Sequence, residues 1–475
     1  MGEELSAKPF HDWNERITSE CYQPNTEAPI LNSKGEVVEC VNNFEKISFD
    51  IGPTLLSWLK RKAPETYFAI VDADKKSVRK HGGRGNAMAQ CYNHLIMPLA
   101  TRRDKITQVR WGIRDFEFHF KRKPEGMWLP EAAVDKESLK IMRDEGIRFT
   151  VLAPHQALKV RPIGFGRRWD FLHHEAIDSK RPYRIVLDRG HQFHIFFYDA
   201  PISQGIAFQG LLMNGDHLLH RLFGAFSHGP GAQLVTTATD GESFGHHHRF
   251  GEMAIAYAAE KIEKQRLVHL TNFAEFLARF GSGWEVDIHE QSSWSCAHGV
   301  GRWKEDCGCR FNFQEGWNQK WRGSLREAFD FLKEKIDHRF EEKTESLLKD
   351  PWQARNAFID VVLDPGDESR KKFLSREAKR RLNTEEEKKV WDLLEAERFS
   401  MLMFTSCGWF FDDISGIEPV QVMRFAARAM ELLTPYETEN LEAPFLKILA
   451  GARSNFPEHG TGADIFNRWV KPHGL

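Results

Sequence analysis

The run from Gly126 to Ala153 constrains the fold more than any other stretch of this chain. Gly126-Met-Trp-Leu-Pro-Glu131 reads as a buried strand with a carboxylate at its tip. Asp135 to Glu145 follows as a helix, with Leu139 and Met142 on one face, Asp135 at the N-cap and Gly146 placed to end it. Ile147-Arg-Phe-Thr-Val-Leu-Ala153 then reads as a second strand. Strand, helix, strand is the repeating unit of parallel sheets and barrels, whose sites lie at the C-terminal ends of the strands. Further strands are expected at Arg184–Leu187, His194–Tyr198 and Leu234–Ala238. The last leads into Thr239-Asp-Gly-Glu-Ser-Phe-Gly-His-His-His248, so Asp240 also falls at a strand tip.

The pattern changes near residue 310. Ser324-Leu-Arg-Glu327 has the form of a capping box, with Leu325, Ala328, Leu332 and Ile336 in helical register. Residues 366–398 are rich in charge, with Val390, Leu393 and Leu394 as an apolar stripe, and Val422, Phe425, Ala426, Ala429 and Leu433 repeat at helical spacing. The charge runs read as solvated helix faces. The expected class is therefore α/β: a barrel over 1–300, then an α-helical domain over 301–475 that contributes to the cleft.

Composition narrows the partners. The 66 basic and 68 acidic residues nearly cancel, which disfavours nucleic acid and anionic membrane and suits a neutral substrate. No stretch reaches 18 consecutive apolar residues, and Met1-Gly-Glu-Glu-Leu-Ser6 lacks the basic start and apolar run of a secretory signal. Seven cysteines in a chain of 475 residues point to reduced thiols and a cytoplasmic setting. Gly83-Arg-Gly-Asn86 is too short, and lacks the lysine, for a phosphate-binding loop. Two carboxylates delivered to one pocket from different strands are the minimum equipment for cleaving a glycosidic bond, and Glu131 and Asp240 meet that description.

The segments that carry this reading resemble glycoside hydrolase family 57, enzymes that cut or transfer α-glucans. They are His11-Asp-Trp-Asn-Glu-Arg-Ile17, Gly85 to Leu99, Thr107 to Gly112, Pro124 to Val134, Phe149 to Ala157, Thr237 to Gly251, Ser292 to Cys309 and Thr405 to Glu418. The likeness is to a branch whose barrel runs into an uncharacterised helical module. It implies a distorted (β/α)7-type barrel, a retaining mechanism and no obligatory cofactor. Glu131 matches the nucleophile position and Asp240 the general acid/base, with Glu242 beside it. His94 belongs to the second family segment, and Trp409 and Asp412 fall where the last segment contributes from the helical domain. The family opens with a strand bearing a His-x-His-like segment, whereas here His11 is reached within a dozen residues of Met1, so the chain reads as shortened at its N-terminus.

Trp111, Trp128 and Trp409 offer flat faces on which sugar C–H groups can stack, and Trp294 looks like substrate-loop material. His246-His-His248 invites a metal reading, but consecutive residues do not converge on one ion, and His246 is expected at the substrate instead. Cys296-Ala-His298 and Cys307-Gly-Cys309 lack the Cys-x2-Cys spacing of zinc ribbons and read as a buried thiol cluster before a metal site, so no metal ligand is assigned. Two other readings stand beside the α-glucan hydrolase or 4-α-glucanotransferase. One is a catalytically impaired relative that binds glycan; the other is a metal-dependent enzyme of the polysaccharide deacetylase or α-mannosidase type.

Overall fold

The computed structural model describes residues 4–164, 168–172, 177–188, 191–436 and 439–471. It divides into two compact units that are not consecutive in sequence. One comprises Met1–Gln90, Phe116–Trp128 and Met142–His289; the other comprises Cys91–Asp115, Leu129–Ile141 and Glu290–Leu475.

The first unit is built on short parallel strands. The strands among the described residues are β1 (Ala28–Leu31), β2 (Val37–Val41), β3 (Ala89–Gln90), β4 (Met127–Trp128), β5 (Phe149–Leu152), β6 (Ala157–Pro162), β7 (Asp170–Phe171), β8 (Tyr183–Asp188), β9 (His191–Phe197) and β10 (Trp284–Ile288). Phe49 bridges Ala87 in parallel, β3 runs parallel to β4, Gly126 bridges Phe149 in parallel, and β5 runs parallel to β9. That succession is what the strand–helix–strand pattern demands. β8 then pairs antiparallel with β9, and the sheet continues in the order β5-β9-β8-β10-β6-β7. Phe149, Thr150, Val151 and Leu152 of β5 and Phe193, Ile195, Phe196 and Phe197 of β9 are all buried, so both strands are covered on both faces, as central parallel strands are.

The helix after β4 forms as expected, over Lys136–Asp144. The Asp135 carboxylate accepts the Ser138 N–H at 2.7 Å, and Gly146 takes φ +96° just past its end. Two expectations need correction. Leu234–Ala238 joins no ladder among the described residues. Its backbone groups go instead to single partners: Leu234 N–H to the Lys180 carbonyl at 2.9 Å, and the Thr236 carbonyl to the Asp199 N–H at 2.7 Å. Ser324 is not a cap either, because the helix starts a turn earlier and spans Trp321–Thr344. Burial of Trp321 and Arg322, both 0% exposed, holds that extra turn, and tertiary packing outweighs the local capping signal.

The second unit is helical. Trp321–Thr344, Thr384–Leu402 and Ile417–Leu433 are its longest helices after residue 300, joined by Pro351–Ala357, Ile359–Leu363, Asp367–Glu377 and Glu442–Leu449. Leu325, Ala328, Leu332 and Ile336 are 0% exposed, so the apolar stripe read from sequence is the buried face. Among the described residues no helix is long and apolar enough to cross a membrane.

Candidate active site

Glu131 lies in the second unit. β4 ends at Trp128, and a single turn over Pro130–Ala132 follows, with Glu131 at φ +57° and ψ +21°. A left-handed conformation is unusual for glutamate and signals local strain. The turn is held from outside by Ser292–Ser295. Val134 N–H donates to the Ser292 carbonyl at 2.9 Å, and Trp294 N–H donates to the Glu131 carbonyl at 3.0 Å. The side chain is held by the same segment: Trp294 Nε1–H and Ser295 Oγ–H both donate to Glu131 Oε2, at 2.9 and 2.6 Å. Among the described residues Oε1 takes no protein hydrogen bond. Burial pushes the carboxyl above its ordinary range; these two donors and the charge of Arg302 pull it back only in part.

Other residues named from sequence lie in this unit. His94, at φ +53°, pairs through Nδ1 with Ser406 Oγ at 2.8 Å, and its carbonyl accepts the Ser406 N–H. Trp294 is half-buried, with its indole N–H on Glu131. Trp111 and Trp409 are 0% and 1% exposed. Trp111 donates to the Asn356 carbonyl and packs against Tyr92 and Phe358; Trp409 donates to the Arg322 carbonyl and packs against Phe329 and Phe404. Their rings are core rather than open faces. Asp412 is also buried and accepts the N–H groups of Phe311 and Asn312 at 2.8 and 2.7 Å, which fixes a loop.

Asp240, Glu242, His246 and Trp128 lie in the first unit. Trp128 is half-buried at the end of β4, opposite Gln90. Asp240 is exposed and opens the short turn Gly241–Ser243, its carbonyl accepting the Ser243 N–H. Other titratable groups lie in the same unit, and three of them, Asp50, Tyr22 and Glu20, were not singled out from the sequence. Asp50 directly follows Phe49, the residue bridging Ala87. Burial, with the charge of Asp240, pushes the Asp50 carboxyl up to about 7. Burial, and then Glu242, Cys21, Asp50 and Asp240, push the Tyr22 phenol well above its ordinary value. Glu242 is itself raised by burial and by Asp240, against the opposing charge of His246. His246 Nδ1 meets Glu20 Oε2 at 2.5 Å; burial raises Glu20, but this contact and Arg16 hold it below the usual range. The contact depends on Gly245, at φ +145°, where a Cβ would lie 2.2 Å from the Glu20 carbonyl oxygen. A signal for Asp50 was present: Ile47-Ser-Phe-Asp50 repeats the pattern of an apolar run closed by a carboxylate. Glu20 and Tyr22 carry none, since their role exists only once distant segments meet.

The glycosyl hydrolase family 57 profile matches residues 6–289, and a domain of unknown function, DUF3536, matches residues 317–475. The chain belongs to glycosyl hydrolase family 57 and has its (β/α)7-type barrel with a helical C-terminal domain. An exo-type maltose-forming amylase from Pyrococcus sp. ST04 is similar in structure, with TM-score 0.71 and 16% identity over 92% of this chain and 74% of that one. A family 57 branching enzyme from Thermococcus kodakaraensis gives TM-score 0.53 and 13% identity over 95% and 92%. A 4-alpha-glucanotransferase from Thermococcus litoralis gives TM-score 0.51 and 15% identity over 90% of this chain and 57% of that one. No curated protein matches the chain.

Proposed function

We propose that this chain is a retaining α-glucan hydrolase or glucanotransferase, with Glu131 as nucleophile and Asp240 as general acid/base. The observation that carries the reading is the way Glu131 is held. Both donors occupy Oε2, which leaves Oε1 for the anomeric carbon. In the first step Glu131 Oε1 bonds to that carbon while Asp240 gives its proton to the departing glycosidic oxygen. In the second, Asp240 takes a proton from water or from an acceptor sugar hydroxyl, whose oxygen displaces Glu131 with net retention. Water gives hydrolysis and a sugar gives transfer. Exposure of Asp240 suits a group that exchanges protons with successive partners. His246, Glu242, Trp128 and Trp294 are the proposed sugar contacts, and Asp50, raised to about 7, would stay partly protonated beside Asp240 and limit repulsion there. The amylase, branching enzyme and glucanotransferase among the similar structures agree with the substrate class.

The test is turnover of amylose and maltooligosaccharides by the wild-type chain, Glu131→Gln and Asp240→Asn. Each variant should lose activity by on the order of 10³-fold, with azide restoring part of it to one of them as a retained or inverted glycosyl azide. Equal turnover in all three chains would overturn the assignment.

A further inference from the structure

The four soft ligands after Glu131's donors converge. Cys296 Sγ lies 3.8 Å from Cys307 Sγ and 3.8 Å from Cys309 Sγ, and Cys309 Sγ lies 3.6 Å from His298 Nδ1. All four ligand atoms fall within 4.8 Å of one another. None of these cysteines is in a disulfide. Two sulfurs each about 2.3 Å from a tetrahedral zinc ion stand about 3.8 Å apart, and a sulfur and an imidazole nitrogen about 3.6 Å. These three contact distances match those of an ion's coordination shell. We infer that Cys296, His298, Cys307 and Cys309 form a structural Zn²⁺ site, and that the ion clamps the segment presenting Trp294 and Ser295 to Glu131.

The local sequence explains how so tight a pair as Cys307-Gly-Cys309 can serve one ion. Gly308 takes φ +77°, a turn that lets both flanking sulfurs reach Cys296. Three thiolates and a neutral imidazole on Zn²⁺ carry a net charge of −1, and a buried counter-charge is at hand. Arg322 is 0% exposed, and its guanidinium donates to the Cys309 carbonyl at 2.9 Å, to the carbonyls of Phe410 and Phe411, and toward Cys307 Sγ at 3.9 Å. It forms no ion pair with a carboxylate among the described residues. Its hydrogen-bond partners are neutral and the charge of Asp412 offsets the cost of burial only in part, so zinc-bound thiolates would supply a further anion beside it. Thiolate with imidazole in tetrahedral array selects zinc over magnesium or calcium. Binding replaces three thiol protons with three Zn–S bonds and involves no change of oxidation state. The site stands on this geometry whether or not Glu131 is the nucleophile.

The experiment is metal analysis of the untagged full chain, purified under reducing conditions from zinc-supplemented cells. One zinc per chain is expected, falling at least fivefold in Cys307→Ser and Cys309→Ser and retained in His298→Cys. Circular dichroism checks folding of each variant. Because a cysteine variant can fail to fold, the wild-type apo chain is also titrated with Co²⁺, which should give the thiolate charge-transfer and tetrahedral d–d bands, both abolished by one equivalent of Zn²⁺. A reduced wild-type chain that binds neither ion overturns the site. So does zinc that survives the cysteine variants and is lost instead in His246→Ala or His247→Ala, which would locate it at the Glu242–His246–His247 group.

Discussion

At the scale of the residue, the carboxyl of Glu131 is tuned by opposing forces: burial raises its pKa, while Ser295, Trp294 and Arg302 lower it. Removing a donor leaves burial less opposed. Ser295→Ala should therefore move the acid limb of the activity–pH profile to higher pH and lower activity on that limb about tenfold, the worth of one charge-assisted hydrogen bond. A limb unmoved in Ser295→Ala would mean that the Oε2 contact does not bear on ionisation. Asp50 gives a stability prediction with a definite sign. Its folded-state value of about 7 stands above the ordinary 3.8. Between those values the folded chain keeps a proton that the unfolded chain has released, so Asp50's contribution weakens as pH rises through that window and is lost above about 7. Asp50→Asn stays neutral throughout. Its stability relative to wild type should rise between pH 4 and pH 7, by about 1.4 kcal/mol for each step of one in pH, and then level off. Urea unfolding at several pH values reads that slope.

At the scale of the element, the helix Lys136–Asp144 shows local and distant forces meeting on one side chain. Asp135 caps the helix through Ser138 and also receives the ammonium of Lys105 at 2.6 Å. Lys105 is buried and shares Glu137 as its other partner, at 2.9 Å. Asp135→Ala removes the cap, worth about 1 kcal/mol, and half the pairing of a buried cation, so a total loss of about 2–4 kcal/mol is expected. Asp135→Asn keeps the cap and should lose less, a difference that denaturant unfolding of the two variants measures directly. The turn that precedes this helix depends in the same way on an element far along the chain. Pro130–Ala132 is fixed by Ser292–Ser295, a strip of backbone that the sequence marks only with its serines and tryptophan.

At the scale of the whole molecule, each compact unit gathers segments that are remote in sequence. In the helical unit this gathering is done partly by buried charge. Arg355 Nη1 lies 2.8 Å from Asp104 and 2.9 Å from Glu397, and Lys333 lies 3.4 and 3.3 Å from the same two carboxylates. All four side chains are nearly inaccessible to water, so the network ties the residue-104 segment to the helices Trp321–Thr344 and Thr384–Leu402. Arg355→Met leaves two buried carboxylates with one lysine and should cost about 3–5 kcal/mol in unfolding free energy. A much smaller loss would show that the network relaxes or hydrates.

What the sequence determined by itself is what local physics controls. Asp135 and Gly146 bounded a helix, and the stripes at Leu325–Ile336 and Val422–Leu433 became buried faces. Period, cap and stop each depend on neighbours a few residues away. Only the tertiary structure decided which side chains meet. Trp294 and Ser295 reached Glu131 across more than 160 residues of chain, and Glu20 reached His246 across 226. Trp111 and Trp409, open faces on sequence grounds, went into the core because carbonyls of Asn356 and Arg322 were there to take their indole N–H groups. Cys296, His298, Cys307 and Cys309, a thiol cluster by spacing, came within 4.8 Å of one another in a loop shaped by Gly308 and the buried Arg322. Such contacts are chosen by the closure of long loops, and no local rule of propensity or spacing encodes that closure.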